Sequence, residues 1–332
     1  MGEFDLIERF FKRPARQATV GIGDDCAILQ PRPGTQLAIS SDMLVEGRHF
    51  LSTVNPRHLG HKALAVNLSD LAACGAKPLA FTLALALPRA DEAWLGPFSE
   101  GLFALADPHG CELIGGDTTQ GPLNICITVF GEVPVVSGRS QALLRSSAQA
   151  GDDLYVSGTL GDARLALEVF RGTVSVPSPV FEAARLRMEA PTPRVALGQA
   201  LRGVATSAID VSDGLLGDLG HGLKQSGVGA TVDVDVAIDL IASRPGCTWA
   251  RGLKDLEISL SQWRCWALTG GDDYELLFTA PPAARDAVAV AARVSQTAVT
   301  RIGQMDAARG LRLVDRQGQS LPNTYTSFDH FA

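Results

Sequence analysis

The sequence predicts an α+β protein built from two domains, and three observations lead to this prediction. The chain has 332 residues, more than a single hydrophobic core usually supports. Its first part alternates apolar strand-like runs with two long helical patterns, which indicates a mixed sheet with helices packed on it. A new apolar run begins at Gly151, after a segment rich in Ser, Gln and Ala. We therefore predict one domain at 1–137, a linker at 138–150 and a second domain at 151–332.

Local patterns define the elements of the first domain. The apolar residues of 4–12 share one helical face. Asn55 can cap a second helix, Pro56 fits its first position and Gly75 can end it. The predicted elements are helices at 4–12, 56–75 and 91–109 and strands at 36–40, 79–87, 111–114 and 124–133. The strand at 36–40 is expected to end at Ser40-Ser41-Asp42, and the strand at 111–114 is expected to run into a turn at Gly115-Gly116-Asp117.

The elements of the second domain follow in the same way. Ser212 precedes an apolar periodic run and is expected to cap that helix, which runs to about Gln225. The alternation at 230–236 and the short apolar run at 266–269 both predict strands. The other predicted elements are helices near 161–171, 179–189, 193–202 and 283–294 and strands at 207–211, 274–279 and 298–303.

Composition excludes several classes of function. The net charge is −7 and no basic run reaches five residues, so we expect no nucleic-acid partner. The longest apolar stretch, 81–88, is too short to cross a bilayer, and the amphipathic, partly acidic N-terminus does not resemble a signal peptide. The six cysteines contain no C-x-x-C pair and are expected to be free thiols. We therefore expect a cytoplasmic protein with no membrane partner.

Aspartates recur beside glycine or serine where predicted strands and helices end. Six of them come from separate places: Asp25, Asp42, Asp70, Asp117, Asp210 and Asp213. Each one alone is typical of a helix cap or a turn. As a set they indicate a shared cavity, where carboxylates repel one another unless cations lie between them. Oxygen ligands of this kind suit Mg²⁺, so the pattern favours several Mg²⁺ ions that handle a polyphosphate.

Three further positions are candidates for substrate contacts. Gly115 and Gly116 would let backbone N–H groups approach an anion, although an ordinary turn is the alternative. No Gly-Lys pair of a phosphate loop occurs, and no His-Arg-Asp or Asp-Phe-Gly triplet of a protein kinase. Arg145 is our candidate for a contact with an ATP phosphate. The alternative is that it is an exposed, solvated arginine. His49 is either a substrate contact or a surface histidine, since no cysteine or second histidine is spaced for zinc.

Seven motifs together resemble the thiamine-monophosphate kinase family. They are the segments 21–27, 38–42, 65–72, 113–119, 208–215, 270–276 and 328–331, in unbroken order. The resemblance implies the superfamily of aminoimidazole ribonucleotide synthetase and selenophosphate synthetase. It implies an N-terminal sheet domain that binds ATP and magnesium and forms a barrel in a homodimer. It also implies a C-terminal α+β domain that completes the site, and the activity ATP + thiamine monophosphate → ADP + thiamine diphosphate.

The resemblance also implies roles for individual residues. The implied magnesium ligands are Asp25, Ser40, Ser41, Asp42, Asp70, Asp117, Asp210 and Asp213. The implied ATP contacts are Gly116, Asp117, Arg145 and Ser212, and the implied thiamine contacts are His49, Asp272 and Phe328. Two positions depart from the family pattern: Asp272 stands where a glutamate is usual, and Ser327 stands where a glycine is usual. The first departure predicts a shorter or water-bridged contact with the substrate.

The implied reaction needs no catalytic side chain as a general base. Its acceptor is a phosphate monoester whose second pKa is about 6, so the acceptor is mostly an oxyanion at neutral pH. We therefore predict direct in-line transfer of the γ-phosphate, driven by positioning and charge neutralisation. The alternatives are another ATP-dependent enzyme of the same superfamily and a metal-dependent phosphohydrolase. A third alternative, a Ca²⁺-binding module, lacks the D-x-D-x-D-G loop that it would need.

Overall fold

The computed structural model describes residues 2–241 and 258–325, and these form two compact units. The first unit comprises residues 2–71 and 76–142, and the second comprises residues 72–75, 143–241 and 258–325. Each unit combines a β-sheet with helices, so the predicted α+β class is confirmed. No helix in the described part of the chain is long and apolar enough to cross a membrane.

The first unit is a mixed sheet with two long helices. Its elements are α1 (Glu3–Phe10), β1 (Thr35–Val45), α2 (Pro56–Ala73), β2 (Lys77–Leu87), α3 (Glu92–His109), β3 (Glu112–Gln120), β4 (Asn124–Val136) and β5 (Arg139–Ser140). The strand order is β1-β4-β2-β3, with β5 paired to β4. Strands β2 and β3 are parallel and the other pairs are antiparallel, as a strand–helix–strand passage requires. The two long helices match the sequence predictions.

Two predictions about strand ends in the first unit are wrong. Strand β1 continues through Ser40, Ser41 and Asp42 to Val45, because it pairs with β4 along its whole length. Strand β3 likewise continues through the segment 115–117, which was predicted to be a turn. There the parallel pairing with β2 shifts register and then resumes, so the glycines lie within a strand. In both cases a partner strand that is distant in sequence overrides the local turn signal.

Helices α2 and α3 approach each other backbone to backbone. A Cβ atom added to Gly60 of α2 would overlap the carbonyl oxygen of Phe98 in α3. A Cβ added to Gly101 of α3 would overlap the carbonyl oxygen of Arg57 in α2. Glycine at both positions is therefore required by packing, since no side chain fits between the two backbones.

The second unit contains a larger sheet. Its elements are β6 (Asp153–Ser157), α4 (Asp162–Phe170), α5 (Ser178–Glu189), α6 (Val195–Ala200), β7 (Ser207–Val211), α7 (Leu215–Ser226), β8 (Gly229–Asp233), α8 (Val234–Asp239), α9 (Leu260–Thr269), β9 (Glu275–Ala280), α10 (Arg285–Val294), β10 (Val299–Asp306), β11 (Gly310–Val314) and β12 (Ser320–Leu321). Among the described residues the strand order is β12-β11-β8-β10-β6-β9-β7. A core of aliphatic side chains with Trp263 and Trp266 packs between this sheet and its helices.

Three predictions for the second unit need correction. Residues 266–269 belong to helix α9, which Ser259 caps together with Gln262; a short apolar run does not distinguish strand from helix. The strand predicted at 230–236 ends at Asp233, whose carboxylate caps α8. Helix α7 begins at Leu215 with Gly214 at its N-cap, so Ser212 is not the cap.

Candidate active site

In the first unit, polar groups of β1 and α2 meet. The hydroxyl of Ser40 donates to Oδ2 of Asp70, which lies near the end of α2. The backbone N–H of Asp42 donates to Oδ1 of Asn67 over 3.1 Å. Asn67 is held in turn by its own amide nitrogen, which donates to the carbonyl of Ala63 over 3.0 Å. These hydrogen bonds place the carboxylate of Asp70 on the same side of the sheet as that of Asp42. Both carboxylates are half-buried.

Ser41 points away from this group, because side chains alternate along a strand. Its hydroxyl lies 2.9 Å from Oγ1 of Thr128 on β4, on the opposite face of the sheet. The family resemblance implies that Ser40, Ser41 and Asp42 are all magnesium ligands. The structure brings the side chains of Ser40 and Asp42 to one face and that of Ser41 to the other.

Two other predicted carboxylates of the first unit are exposed. Asp25 lies in a loop, where its N–H donates to Oδ1 of Asp24 over 2.9 Å. Asp117 lies in β3 opposite Ala84 of β2. The glycine before it, Gly116, has a φ of 150°, and a Cβ there would overlap the carbonyl oxygen of Leu83. Close strand packing thus accounts for this glycine, and its contact with ATP stays a prediction.

His49 is held as one tautomer by its own loop. The backbone N–H of Val45 donates to Nδ1 of His49 over 3.0 Å, so the proton of a neutral ring lies on Nε2. The loop is tied further by Lys62, whose ammonium donates to the carbonyl of His49 over 3.1 Å. Lys62 is 2% exposed, and the sequence analysis missed it. A lysine inside an apolar helical run was the available signal.

In the second unit, predicted site residues surround the end of β7. Asp210 lies in β7 and is buried, and Ser212 and Asp213 follow it in the turn before α7. Asp218 on α7 accepts the N–H groups of Ser212 and Asp213 over 3.0 and 3.1 Å. Burial, and then the charge of Asp213, raises the pKa of Asp218 to about 7. Asp218 is not predictable as a site residue from sequence, because a charged residue in a helix is ordinary.

The segment 270–274, which we call the acidic loop, lies against this turn. The N–H of Asp272 donates to the carbonyl of Ser212 over 2.9 Å, and that of Tyr274 donates to the carbonyl of Val211 over 2.8 Å. A Cβ on Gly271 would lie 2.5 Å from the carbonyl oxygen of Ser212. The acidic loop and the turn after β7 are therefore in backbone contact, which brings Asp272 close to Ser212.

Beneath the acidic loop lies a buried charge network that the sequence analysis missed. Glu275 is fully buried and accepts from Arg194 over 2.6 Å, from Arg187 over 2.7 Å and from Ser157 over 2.6 Å. Asp273 is 3% exposed, and its Oδ1 accepts the N–H of Gly161 over 2.9 Å. Burial raises the pKa of Asp273 well above its usual range. These carboxylates face inward and support the loop.

Of the two remaining predicted contacts, the structure describes Arg145 and not Phe328. Arg145 is exposed, and its carbonyl accepts the hydroxyl of Ser226 over 3.1 Å. No ion pair of its guanidinium is found within residues 2–241 and 258–325. Phe328 lies outside the described residues, so its predicted contact with thiamine has no structural counterpart here.

The donor set has the chemistry that Mg²⁺ requires. All predicted ligands are carboxylates or hydroxyls, and Mg²⁺ takes one or two carboxylates with waters and phosphate oxygens. Asp42 with Asp70 in the first unit, and Asp210 with Asp213 in the second, provide such pairs. Within either described stretch, no group of three or more His, Cys, Asp or Glu side chains is arranged to hold a metal by itself. In each unit the donor chemistry therefore fits Mg²⁺ that takes its remaining ligands from water and substrate phosphate.

Both halves of the chain match one protein family, and its full length matches enzymes of one name. Residues 23–133 match the N-terminal domain of AIR synthase related protein, and residues 149–316 match its C-terminal domain. The thiamine-monophosphate kinase of Salmonella typhimurium is 47% identical, covering 100% of this chain and 98% of that protein. The Escherichia coli enzyme is 45% identical with the same coverage.

Solved structures agree with these relatives. The crystal structure of thiamine-monophosphate kinase from Stenotrophomonas maltophilia matches with a TM-score of 0.80 at 46% identity, covering 92% of each chain. AaThiL complexed with AMPPCP and TMP matches with a TM-score of 0.73 at 26% identity, covering 91% of this chain and 89% of that chain. Both matches confirm the predicted two-domain fold.

Proposed function

Because the chain belongs to the thiamine-monophosphate kinase family, we propose that it transfers the γ-phosphate of ATP to thiamine monophosphate and so makes thiamine diphosphate. The observation that carries this proposal is the match to enzymes of that name over the full length of the chain. The related AaThiL in complex with AMPPCP and TMP supports ATP and thiamine monophosphate as the two substrates. The reaction belongs to the biosynthesis of the thiamine cofactor.

The proposal includes several Mg²⁺ ions. In the first unit the ligands would be Asp25, Ser40, Asp42, Asp70 and Asp117, and in the second unit Asp210 and Asp213. Ser41, whose side chain lies on the other face of β1, would join the first set only through its backbone. Bound Mg²⁺ would neutralise the phosphate charges that otherwise keep two polyanions apart. The hydrogen bond from Ser40 to Asp70 supports a shared role for β1 and α2, since it orients the Asp70 carboxylate.

Residues of the chain itself would position the substrates. Gly116, Asp117, Arg145 and Ser212 would contact ATP, and His49, Asp272 and Phe328 would contact the thiamine end. His49 is suited to donate through Nε2, because its Nδ1 already accepts a backbone N–H. No general base is needed, since the acceptor phosphate is already mostly ionised at neutral pH. Direct in-line transfer without a phosphoenzyme is the mechanism that these roles support.

We also propose a homodimer that pairs the sheets of two first units. Strand β1 exposes a row of apolar side chains on one face, with Leu37 41%, Ile39 60% and Met43 52% exposed. Exposed apolar side chains grouped on one strand face in this way are typical of an interface. Replacement Ile39→Glu should shift the protein to monomer in sedimentation velocity, whereas an unchanged dimer would place the interface elsewhere.

A cytoplasmic location is part of the same proposal, and the free thiols of the described cysteines support it.

The test is to incubate purified protein with ATP, Mg²⁺ and thiamine monophosphate and to separate the thiamine species and ADP by chromatography. We expect thiamine diphosphate and ADP in equal amounts, and neither in the presence of EDTA. Release of inorganic phosphate from thiamine monophosphate without ATP would instead support a phosphohydrolase. Formation of ADP without thiamine diphosphate would direct the search to another acceptor within the superfamily.

A further inference from the structure

We propose that Tyr274 is a positioning residue for substrate binding: its hydroxyl fixes the carboxylate of Asp272, and the buried network beneath the acidic loop fixes both. The proposal rests on the proposed function, in which Asp272 contacts the thiamine end of the substrate. Tyr274 itself is 8% exposed, so it acts through Asp272 and not by touching the substrate.

The first support is a direct contact. The hydroxyl of Tyr274 donates to Oδ1 of Asp272 over 3.0 Å. A hydrogen bond to an ionised group is stronger than one between neutral groups, and it restricts rotation of the carboxylate. Asp272 is half-buried at the surface of the loop, while the ring of Tyr274 is packed inside. The packed ring of Tyr274 therefore orients the carboxylate of Asp272 from the buried side of the loop.

The second support is the backbone of the acidic loop. Asp272 has a φ of 65° and Tyr274 has a φ of 51°, both in the left-handed region that non-glycine residues seldom adopt. Such residues persist only where their surroundings enforce the conformation, and they concentrate at functional sites. Here the enforcement comes from the hydrogen bonds of the two N–H groups to the carbonyls of Ser212 and Val211, where β7 ends and its turn begins.

The third support is the charge network that anchors the loop from inside. Arg187 donates to the carbonyl of Asp273 over 3.2 Å and to Oε1 of Glu275 over 2.7 Å. It thereby links the middle of the acidic loop to the start of β9. Oδ2 of Asp273 has no hydrogen-bond partner among the described residues, although the side chain is almost fully buried. Burial of such a group is costly, which indicates that the position of the loop is selected for something other than stability.

The expected role follows from the length of Asp272. An aspartate carries its carboxylate on a single methylene, so the carboxylate reaches only a short distance and turns about few side-chain bonds. Fixing it in advance reduces the conformational entropy that binding would otherwise remove. The partner of the carboxylate would be a cationic or N–H-donating group of the thiamine moiety. Tyr274 should therefore affect thiamine monophosphate and not ATP.

The experiment compares Tyr274→Phe with wild type in steady-state kinetics, varying each substrate separately. We expect KM for thiamine monophosphate to rise about tenfold, which corresponds to roughly 1.4 kcal/mol, while KM for ATP and the melting temperature stay near wild type. The matched control is Tyr155→Phe. Tyr155 is equally buried in the same unit and also donates to an aspartate, Asp153, but lies outside the acidic loop.

A double-mutant cycle decides whether Tyr274 works through Asp272. In an Asp272→Ala background, Tyr274→Phe should cause no further rise in KM, because the carboxylate it positions is gone. If the two effects multiply, or if both substrates are affected equally, the proposal is wrong. Calorimetric titration with thiamine monophosphate without ATP gives the same comparison without turnover. A wild-type protein that binds neither thiamine monophosphate nor ATP would refute the proposed function instead.

Discussion

The two units hold their candidate carboxylates in different ways. In the first unit, Asp42 lies within an 11-residue strand and Asp70 lies on an 18-residue helix, and both are half-buried. In the second unit, Asp213 and Asp272 lie in turns, beside carboxylates such as Asp218 that are almost fully buried. Regular elements position Asp42 and Asp70, whereas specific buried contacts position Asp213 and Asp272.

The difference determines what a substitution should disturb. A strand or a long helix is held by many backbone hydrogen bonds that do not depend on any one side chain. Loss of a carboxylate in such an element should lower the enzymatic activity and leave the fold intact. A loop held by a few glycine contacts and buried charges depends on each of them. Substitution there should therefore lower stability together with activity.

The largest effect is expected for Asp42→Asn and Asp70→Asn in the first unit. Each removes a proposed magnesium ligand, so turnover should fall by about 10²- to 10³-fold, as for other lost electrostatic contacts at a reacting phosphate. The melting temperature should change little, because β1 and α2 keep their backbone hydrogen bonds. Enzyme assay and thermal melting on the same samples check both parts. Near-wild-type turnover in either variant would remove that residue from the proposed ligand set.

The next effect concerns the buried network of the second unit. Arg194→Met leaves the fully buried Glu275 with one fewer cation, so the free energy of unfolding should fall by about 3 kcal/mol. The matched control is Arg57→Met in the first unit, where both partners of the pair with Glu100 are more than half exposed. That change should lower the free energy by under about 1 kcal/mol. Urea titration measures both, and equal losses would contradict the contrast between the units.

A smaller loss of stability is expected for Gly271→Ala. The added methyl group would press on the carbonyl oxygen of Ser212 and push the acidic loop off its turn, at a cost of about 1–3 kcal/mol. Gly220→Ala is the control, since no atom lies within 4 Å of its added Cβ. That variant should be neutral or stabilising in thermal melting, because alanine favours the helix. An acidic loop that tolerates Gly271→Ala would not be in the close contact described.

The smallest effect is a dependence on pH. A hydrogen bond from Arg285, supported by Arg301, lowers the pKa of Asp153 to about 2, against an ordinary value near 3.8. The stabilisation from this pairing is therefore present above about pH 4 and is lost as the pH falls toward 2. Urea titrations should show wild type and Asp153→Asn converging in stability as the pH falls from about 4 toward 2. For the exposed pair of Asp107 with Arg13, the corresponding variant Asp107→Asn should differ little from wild type throughout.

The long helices are predictable from sequence, whereas the positions of the polar segments 40–42 and 115–117 within their strands are not. Helix α3 could be located because Asp91 caps it and Gly110 ends it, which are local signals. The segments 40–42 and 115–117 were placed at strand ends, because glycine or serine beside aspartate is typical of a turn. Their true position depends on pairing with β4 and β2, and a single sequence does not contain that information.

The same limit applies to the site residues. The candidate carboxylates can be recognised because they recur in short segments that contain glycine or serine. Their supports were missed, because Lys62, Asp218 and Arg187 lie on helices where charged residues are ordinary. What makes them unusual is burial among other charges, and burial is a property of the fold. Asp273 and Glu275 stood within a recognised motif, but only their contacts distinguish them from Asp272.

The backbone contact between α2 and α3 gives the first unit a mechanical property. With Gly60 and Gly101 each pressed against the other helix, neither helix can rotate or slide without lifting away from its neighbour. Helices α2 and α3 should therefore move together as one rigid unit. In hydrogen exchange, the amides on the facing sides of the two helices should open together, as a single cooperative unit.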